Sequence, residues 1–250
     1  MTTRFAIQES RYEFPYHWLA SYGADGASWT ISRELRWGLE QLGLLHAVTG
    51  TILDLAPSAV LDVGCGDGRL VHELLDSGVR RVEGLDLAPR AIAFAQAFLG
   101  PDRADLVRCA AVQDGPAGPF DVVSLVEVIE HVPEADLDPL LQAVHARLAR
   151  EGRLVVTVPT TNVPVIPKHE RHYDPSLLAQ HLGDRFEILE LRWLHRDARI
   201  SRLLRAAMTN RFVGLHWRPA VRAITRAYQR HVLDATARDG AHLLVVARPR

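Results

Sequence analysis

The stretch Leu61-Asp-Val-Gly-Cys-Gly-Asp-Gly68 decides how this chain folds. An apolar run, Ala59–Val63, leads into it and a helical pattern, His72 to Ser77, leads out, so its glycines stand at a strand-to-helix turn. Glycine there lets the backbone bend sharply and approach a ligand that a side chain would obstruct. The spacing is G-x-G-x-G. The dinucleotide fingerprint is G-x-G-x-x-G, with a pyrophosphate on the following helix, so the turn does not read as an NAD(P) site. Asp62, just ahead of the first glycine, would disfavour phosphate and suit a cationic ligand.

Working outward, the next apolar run, Val82–Leu85, ends at Asp86, whose carboxylate is placed to accept from a ribose diol. Val107–Cys109, Val122–Val126 and Leu154–Val158 repeat the strand pattern between helical stretches, which predicts a mostly parallel sheet covered on both faces. Phe186–Leu191 and Leu243–Ala247 are two later strand candidates. Residues 1–55 read as a cap: an aromatic run holding Tyr12, Phe14, Tyr16, His17 and Trp18, then an amphipathic helix from Ser32 to Leu55. The aromatics suit a lid, with Tyr16 and His17 the residues to test, or the plain cover of an apolar edge. Residues 56–250 read as the main domain, with a helical insertion at about 193–238.

That insertion is basic. From Arg192 to Arg230 it holds ten arginines against one acid, Asp197, and Arg218, Arg222, Arg226 and Arg230 recur every fourth residue. On a helix they form a stripe, which suits an anionic membrane surface, the phosphates of an acceptor, or simple solvation. The whole chain carries a net charge of −1, which argues against nucleic acid as a partner. Two cysteines in 250 residues, Cys65 and Cys109, give no disulfide framework. With no spanning apolar run and no hydrophobic signal region, the expected location is the cytoplasm.

Taken in order, Leu61–Gly68, Gly84-Leu-Asp-Leu-Ala88, Phe120-Asp-Val-Val-Ser-Leu-Val-Glu-Val-Ile-Glu-His131 and Gly152-Arg-Leu-Val-Val-Thr-Val-Pro159 resemble the successive motifs of class I S-adenosylmethionine-dependent methyltransferases over about 100 residues. The resemblance implies a Rossmann-like, doubly wound seven-stranded α/β sheet with a reversed last strand. It implies that S-adenosylmethionine lies against Asp62, Gly64, Cys65, Gly66, Asp86, Leu87, Gln113 and Val126, with Leu87 and Ala111–Gln113 flanking the adenine.

Glu127-Val-Ile-Glu130-His131 follows the fourth strand, at the edge where such sheets place their ligands. If it turns helically, two carboxylates and an imidazole share one face. The arrangement is similar to that of ubiquinone-pathway O-methyltransferases and small-RNA 3′-terminal 2′-O-methyltransferases, which are metal-assisted. That similarity implies a Mg, Mn or Zn site of Glu127, Glu130, His131 and His172, with His169 the alternative fourth ligand. Without a metal, His131 and Glu130 remain the catalytic candidates, His131 as general base. Methyl transfer to a hydroxyl of a small-molecule or glycan-type acceptor is the expected reaction. RNA 2′-O-methylation and a non-catalytic adenosine-binding role are the alternatives.

Overall fold

The computed structural model describes residues 21–23, 26–28, 31–196, 202–204, 207 and 218–250. A short hairpin, β1 (Ser21–Gly23) and β2 (Gly26–Ser28), precedes a long helix, α1 (Ile31–Asp54). The alternating part then runs β3 (Ala59–Val63), α2 (Arg69–Asp76), β4 (Arg81–Asp86), α3 (Pro89–Leu99), β5 (Val107–Cys109), β6 (Phe120–Val126), α4 (Glu134–His145) and β7 (Leu148–Pro159). It closes with α5 (Pro175–Leu182), β8 (Phe186–Arg196), α6 (Arg218–Tyr228) and β9 (Gly240–Pro249).

Strands β3 to β9 form one seven-stranded sheet in the order β5-β4-β3-β6-β7-β9-β8. Pairing is parallel from β5 to β7, and β9 lies antiparallel between β7 and β8. The result is a Rossmann-like sheet with its last strand reversed. Because β3 and β6 are neighbours though far apart in sequence, their carboxyl ends open a crevice at the point where strand order reverses.

Both faces of the sheet are buried, which explains why its strands are apolar runs and not alternating ones. On one face Leu61, Val123, Leu125, Leu154 and Val156 meet Leu137, Leu141 and Leu178 of α4 and α5. On the other Val60, Val122, Val155 and Leu244 meet Val48 and Ile52 of α1 and Leu74 of α2.

Among the boundaries that differ from the sequence reading, two shift furthest. The helical insertion does not begin at Trp193, because β8 continues to Arg196. Its pairing with β9 extends to Arg196↔Gly240, which satisfies backbone groups that a helix there would leave on β9. Strand β7 starts at Leu148 and not Leu154, since Leu148 already pairs with Phe120 ahead of a bulge. The aromatic run from Tyr12 to Trp18, with Tyr16 and His17, lies outside the described residues, as does most of the arginine-rich stretch before Arg218. On and just beyond α6, Arg222, Arg226 and Arg230 are exposed while Tyr228 and Val232 are buried. Among the described residues no helix is long and apolar enough to cross a membrane.

Candidate active site

At the end of β3 the chain turns through Gly64, Gly66 and Gly68, all at positive φ (79°, 54° and 78°). A Cβ on Gly64 would stand 2.4 Å from Val128 Cγ2, so this glycine is required both by its conformation and by the closeness of the neighbouring loop. The turn is pinned from β4. The amides of Gly64 and Cys65 donate to Leu85 O, and that of Gly66 donates to Asp86 Oδ2 at 3.0 Å. Asp86 Oδ1 accepts from the Ala88 amide at 2.8 Å, so one carboxylate braces the loop and the start of α3.

Gly64, Asp86, Leu87 and Gln113 line one cavity of about 960 Å³, together with Glu127 and His131 from the other side of the crevice. The remaining residues expected at the cofactor do not line it. Asp62 is buried beneath the loop, where its Oδ1 accepts from Ser124 Oγ at 2.7 Å. Burial, with repulsion from Asp86 and Asp67, pushes the Asp62 carboxyl up to about 7 against the Ser124 hydrogen bond. Cys65 is also buried, and a Cβ on Gly84 would stand 2.9 Å from its Sγ, so Gly84 is a contact the sequence did not disclose. Burial raises the Cys65 thiol well above its usual range, which disarms it as a nucleophile. Val126 packs into the core on the α1 face. Gly66 contributes its amide to Asp86. The cradle left by Gly64 and the Asp86 carboxylate on the cavity wall fit an adenosyl ligand.

Beyond β6 the expected common face of Glu127, Glu130 and His131 does not form. Only Ile129–His131 make a single 3₁₀ turn, and Glu127 stands before it at φ 55°, a left-handed conformation that costs a glutamate energy. Its amide is held by Thr157 O and Oγ1, and its Oε2 lies 3.4 Å from His242 Nε2 on β9. Burial raises the Glu127 carboxyl, but His242 and Thr157 outweigh it and the net shift is downward. Burial likewise opposes the charge on His242, and Glu127 outweighs it, so that imidazole is raised. His195, on β8 at φ 59°, stands edge-on to His242 with ring centroids 5.2 Å apart. Burial and then His242 push His195 down to about 3. Neither His242 nor His195 was singled out in the sequence, where nothing in local spacing ties either to Glu127.

Glu130 is fully buried, and neither carboxylate oxygen has a hydrogen-bond partner among the described residues. Burial, and then the charge of Glu127, raise its pKa well above the ordinary range. His131 Nε2 lies 3.7 Å from Glu130 Oε1, and Glu130, His131 and His169 each offer a ligand atom within 4.8 Å of the others. Burial first, then neighbouring His131, Lys168 and His172, push His169 down to about 3, so its ring is a neutral donor. A buried carboxylate without a partner, facing two imidazoles, is a donor set that fits a divalent cation. His172, implied as the fourth ligand, is turned away: its ring is engaged by Thr160 O, Val163 O and His169.

The loop after β7 fastens this turn. The Glu170 amide donates to Glu130 O at 2.7 Å, and Arg171 donates to Ile129 O and Val132 O at 3.2 and 2.8 Å while pairing with Glu134. The Tyr173 hydroxyl, buried and pushed up to about 12 by that burial, donates to Ile129 O.

Residues 38–207 match the family described as Methyltransferase domain. The chain is 38% identical over 103 residues to a ubiquinone biosynthesis O-methyltransferase of Chromobacterium violaceum, covering 37% of this chain and 44% of that protein. It is 39% identical over 105 residues to the protein of the same description from Xanthomonas oryzae pv. oryzae, covering 40% and 42%. The match thus spans less than half the length of these curated relatives. Among solved structures it resembles the magnesium protoporphyrin IX methyltransferase of Synechocystis PCC 6803 with bound SAH, at TM-score 0.56 and 16% identity, covering 92% of this chain and 90% of that one.

Proposed function

Because the chain belongs to the methyltransferase-domain family, as a class I S-adenosylmethionine-dependent methyltransferase, we propose that it methylates a hydroxyl of a small-molecule or glycan-type acceptor. One observation carries this reading. Gly64 and Asp86 of the cofactor turn share a single cavity with His131, at the mouth of the Glu130–His131–His169 cluster. That the relatives are ubiquinone biosynthesis O-methyltransferases supports the choice of oxygen.

Gly64, Asp86, Leu87 and Gln113 would hold S-adenosylmethionine, which supplies an electrophilic methyl group on a sulfonium when bound. What remains for the chain is to orient the acceptor, exclude water and receive the hydroxyl proton. His131 Nδ1 donates to Lys168 O at 3.0 Å, which leaves Nε2 as the nitrogen able to accept. Glu130 and His169 stand around it, and these three side chains would alternatively hold a divalent cation. His131 Nε2 would then be a ligand and not the proton acceptor, the cation would supply Lewis acidity toward the acceptor oxygen, and the acidified hydroxyl would lose its proton to solvent.

Isothermal titration of chelator-treated protein with S-adenosylmethionine, followed by methylation of catechol and vicinal-diol probes with and without Mg, Mn or Zn, tests the proposal. Cofactor binding with metal-restored methyl transfer is the expected result. Transfer that ignores chelator but is lost in His131→Ala would reassign the His131 nitrogen from cation to proton. No cofactor binding would overturn the reading.

A further inference from the structure

Carbonyl partners, which can only accept, fix the proton of two imidazoles in this site and, through one of them, that of a third. His172 Nδ1 lies 3.1 and 2.9 Å from the carbonyl oxygens of Thr160 and Val163. Carbonyls do not donate, so Nδ1 carries the hydrogen. In the neutral ring Nε2 is then an acceptor, and it stands 2.8 Å from His169 Nδ1. That contact is a hydrogen bond only if His169 Nδ1 donates, which leaves His169 Nε2 without a proton. The same reasoning holds at His131, where Lys168 O fixes the hydrogen on Nδ1 and Nε2 faces Glu130.

All of these carbonyls belong to the connection after β7. The fold therefore presets both rings before any ligand arrives. Outer groups that orient ligating imidazoles in this way are a regular feature of metal sites. Glu127 is oriented differently, with one oxygen committed to His242 on β9.

We propose that His172 is a positioning residue and not a ligand, holding His169 in the Nδ1–H tautomer so that His169 Nε2 joins Glu130 and His131 in a site of three protein ligands. The proposal rests on the reading of this cluster as a cation site. It departs from the ligand set that the family resemblance implies, in which His172 and Glu127 bind directly.

The test needs no acceptor. Long-range ¹H–¹⁵N imidazole spectra of the chelator-treated full chain report each tautomer, and titration with Zn or Mn reports affinity. His131, His169 and His172 should all show the Nδ1–H pattern. His172→Leu should weaken cation binding by about 10- to 100-fold and release His169 from that tautomer. His172→Gln keeps an acceptor and a donor and should stay within about threefold of the parent protein. An Nε2–H pattern at His169 in the parent protein overturns the proposal. So does parent-like binding by His172→Leu, a loss in Glu127→Gln as large as in Glu130→Gln, or no cation binding at all.

Titration with S-adenosylmethionine on the same samples separates the two readings. Cofactor binding without these signals removes only the positioning role, whereas tautomers as expected without cofactor binding remove only the methyl-transfer reading. Should His172→Leu fail to fold, the parent spectrum and His172→Gln still decide.

Discussion

Replacing Gly64 by alanine puts two separate demands on the chain, and a second substitution tells them apart. The first demand is conformational. Gly64 sits at φ 79°, and an L-residue held in the left-handed region costs roughly 1–2 kcal/mol. The second is steric, because the new methyl would stand 2.4 Å from Val128 Cγ2. Carbon atoms pack at about 3.5–4.0 Å, so more than an ångström must be recovered by moving the turn or the loop that carries Glu130 and His131. Forcing a methyl into a packed contact costs roughly 1–3 kcal/mol. The two together come to about 2–5 kcal/mol, shared between folding and cofactor affinity, where every 1.4 kcal/mol lost is about tenfold.

Val128→Ala removes the methyls that Gly64→Ala would strike but leaves φ untouched. The double variant should therefore recover the steric part and keep the conformational one. In a cycle of the parent, both single variants and the double variant, the coupling should be favourable by about 1–3 kcal/mol, summed over urea unfolding and calorimetric titration with S-adenosylmethionine. The cycle cancels whatever Val128→Ala costs by itself. Coupling within about 0.5 kcal/mol of zero would refute the reasoning, since residues that do not touch give additive effects.

Three other perturbations have signs that the structure fixes. The Asp62 carboxyl is held at about 7 in the fold against an ordinary 3.8, so between those values the native state keeps a proton that the unfolded chain releases. Stability should fall as pH rises through that window and level off above it, and Asp62→Asn should remove up to about 4 kcal/mol of the fall, read as the difference between two urea-melt series. A difference that does not grow with pH would show that Asp62 titrates normally. His242→Leu leaves the Glu127 carboxylate, 27% exposed, without its partner and should cost roughly 2–4 kcal/mol, with Glu127→Gln recovering at least half in the double variant. No recovery would mean that the cost comes from packing. Arg171→Met removes two donors from Ile129 O and Val132 O and should destabilise the turn by roughly 1.5–3 kcal/mol, seen as faster hydrogen exchange at the His131 and Val132 amides. Unchanged exchange would exclude Arg171 as the fastener.

What could be read from sequence follows how local each cause is. The turn at Gly64–Gly68 and the carboxylate of Asp86 are legible because a strand, a glycine spacing and the next strand lie within some 25 residues of one another, and apolar runs mark both strands. The end of β8 was not. Trp193–Arg196 is strand because β9, more than 40 residues later, has backbone groups to pair there. Glu127 was misplaced for a related reason. Helical spacing put it on the face of Glu130 and His131, but a left-handed residue just before the turn swings it toward His242, and neither that φ nor that partner leaves a mark in the neighbouring residues. Choosing between His169 and His172 likewise needed the two carbonyls that hold one ring away from the site.

Glu127 and Glu130 are the same residue type three positions apart, and the fold drives them in opposite directions. Glu127 is held below the usual carboxylate range because His242 comes to it from a strand of opposite direction, and that imidazole is raised in return. Glu130 has no such partner, lies deeper, and feels Glu127 as a like charge, so burial and then that charge push its carboxyl well above the ordinary range. Paired carboxylates pushed apart in this way divide their roles by surroundings and not by sequence. The asymmetry also decides where a cation would bind. At Glu127 one oxygen is paired with His242, whereas at Glu130 neither oxygen has a hydrogen-bond partner among the described residues and two imidazoles present donors. A cation would therefore displace a proton from Glu130 on binding, and its affinity should rise with pH until that proton is lost in its absence as well. Calorimetry of Zn or Mn binding in buffers of different ionisation enthalpy counts the protons released: release that diminishes as pH rises fits this arrangement, and no release at any pH would mean that the raised Glu130 carboxyl is not what governs the site.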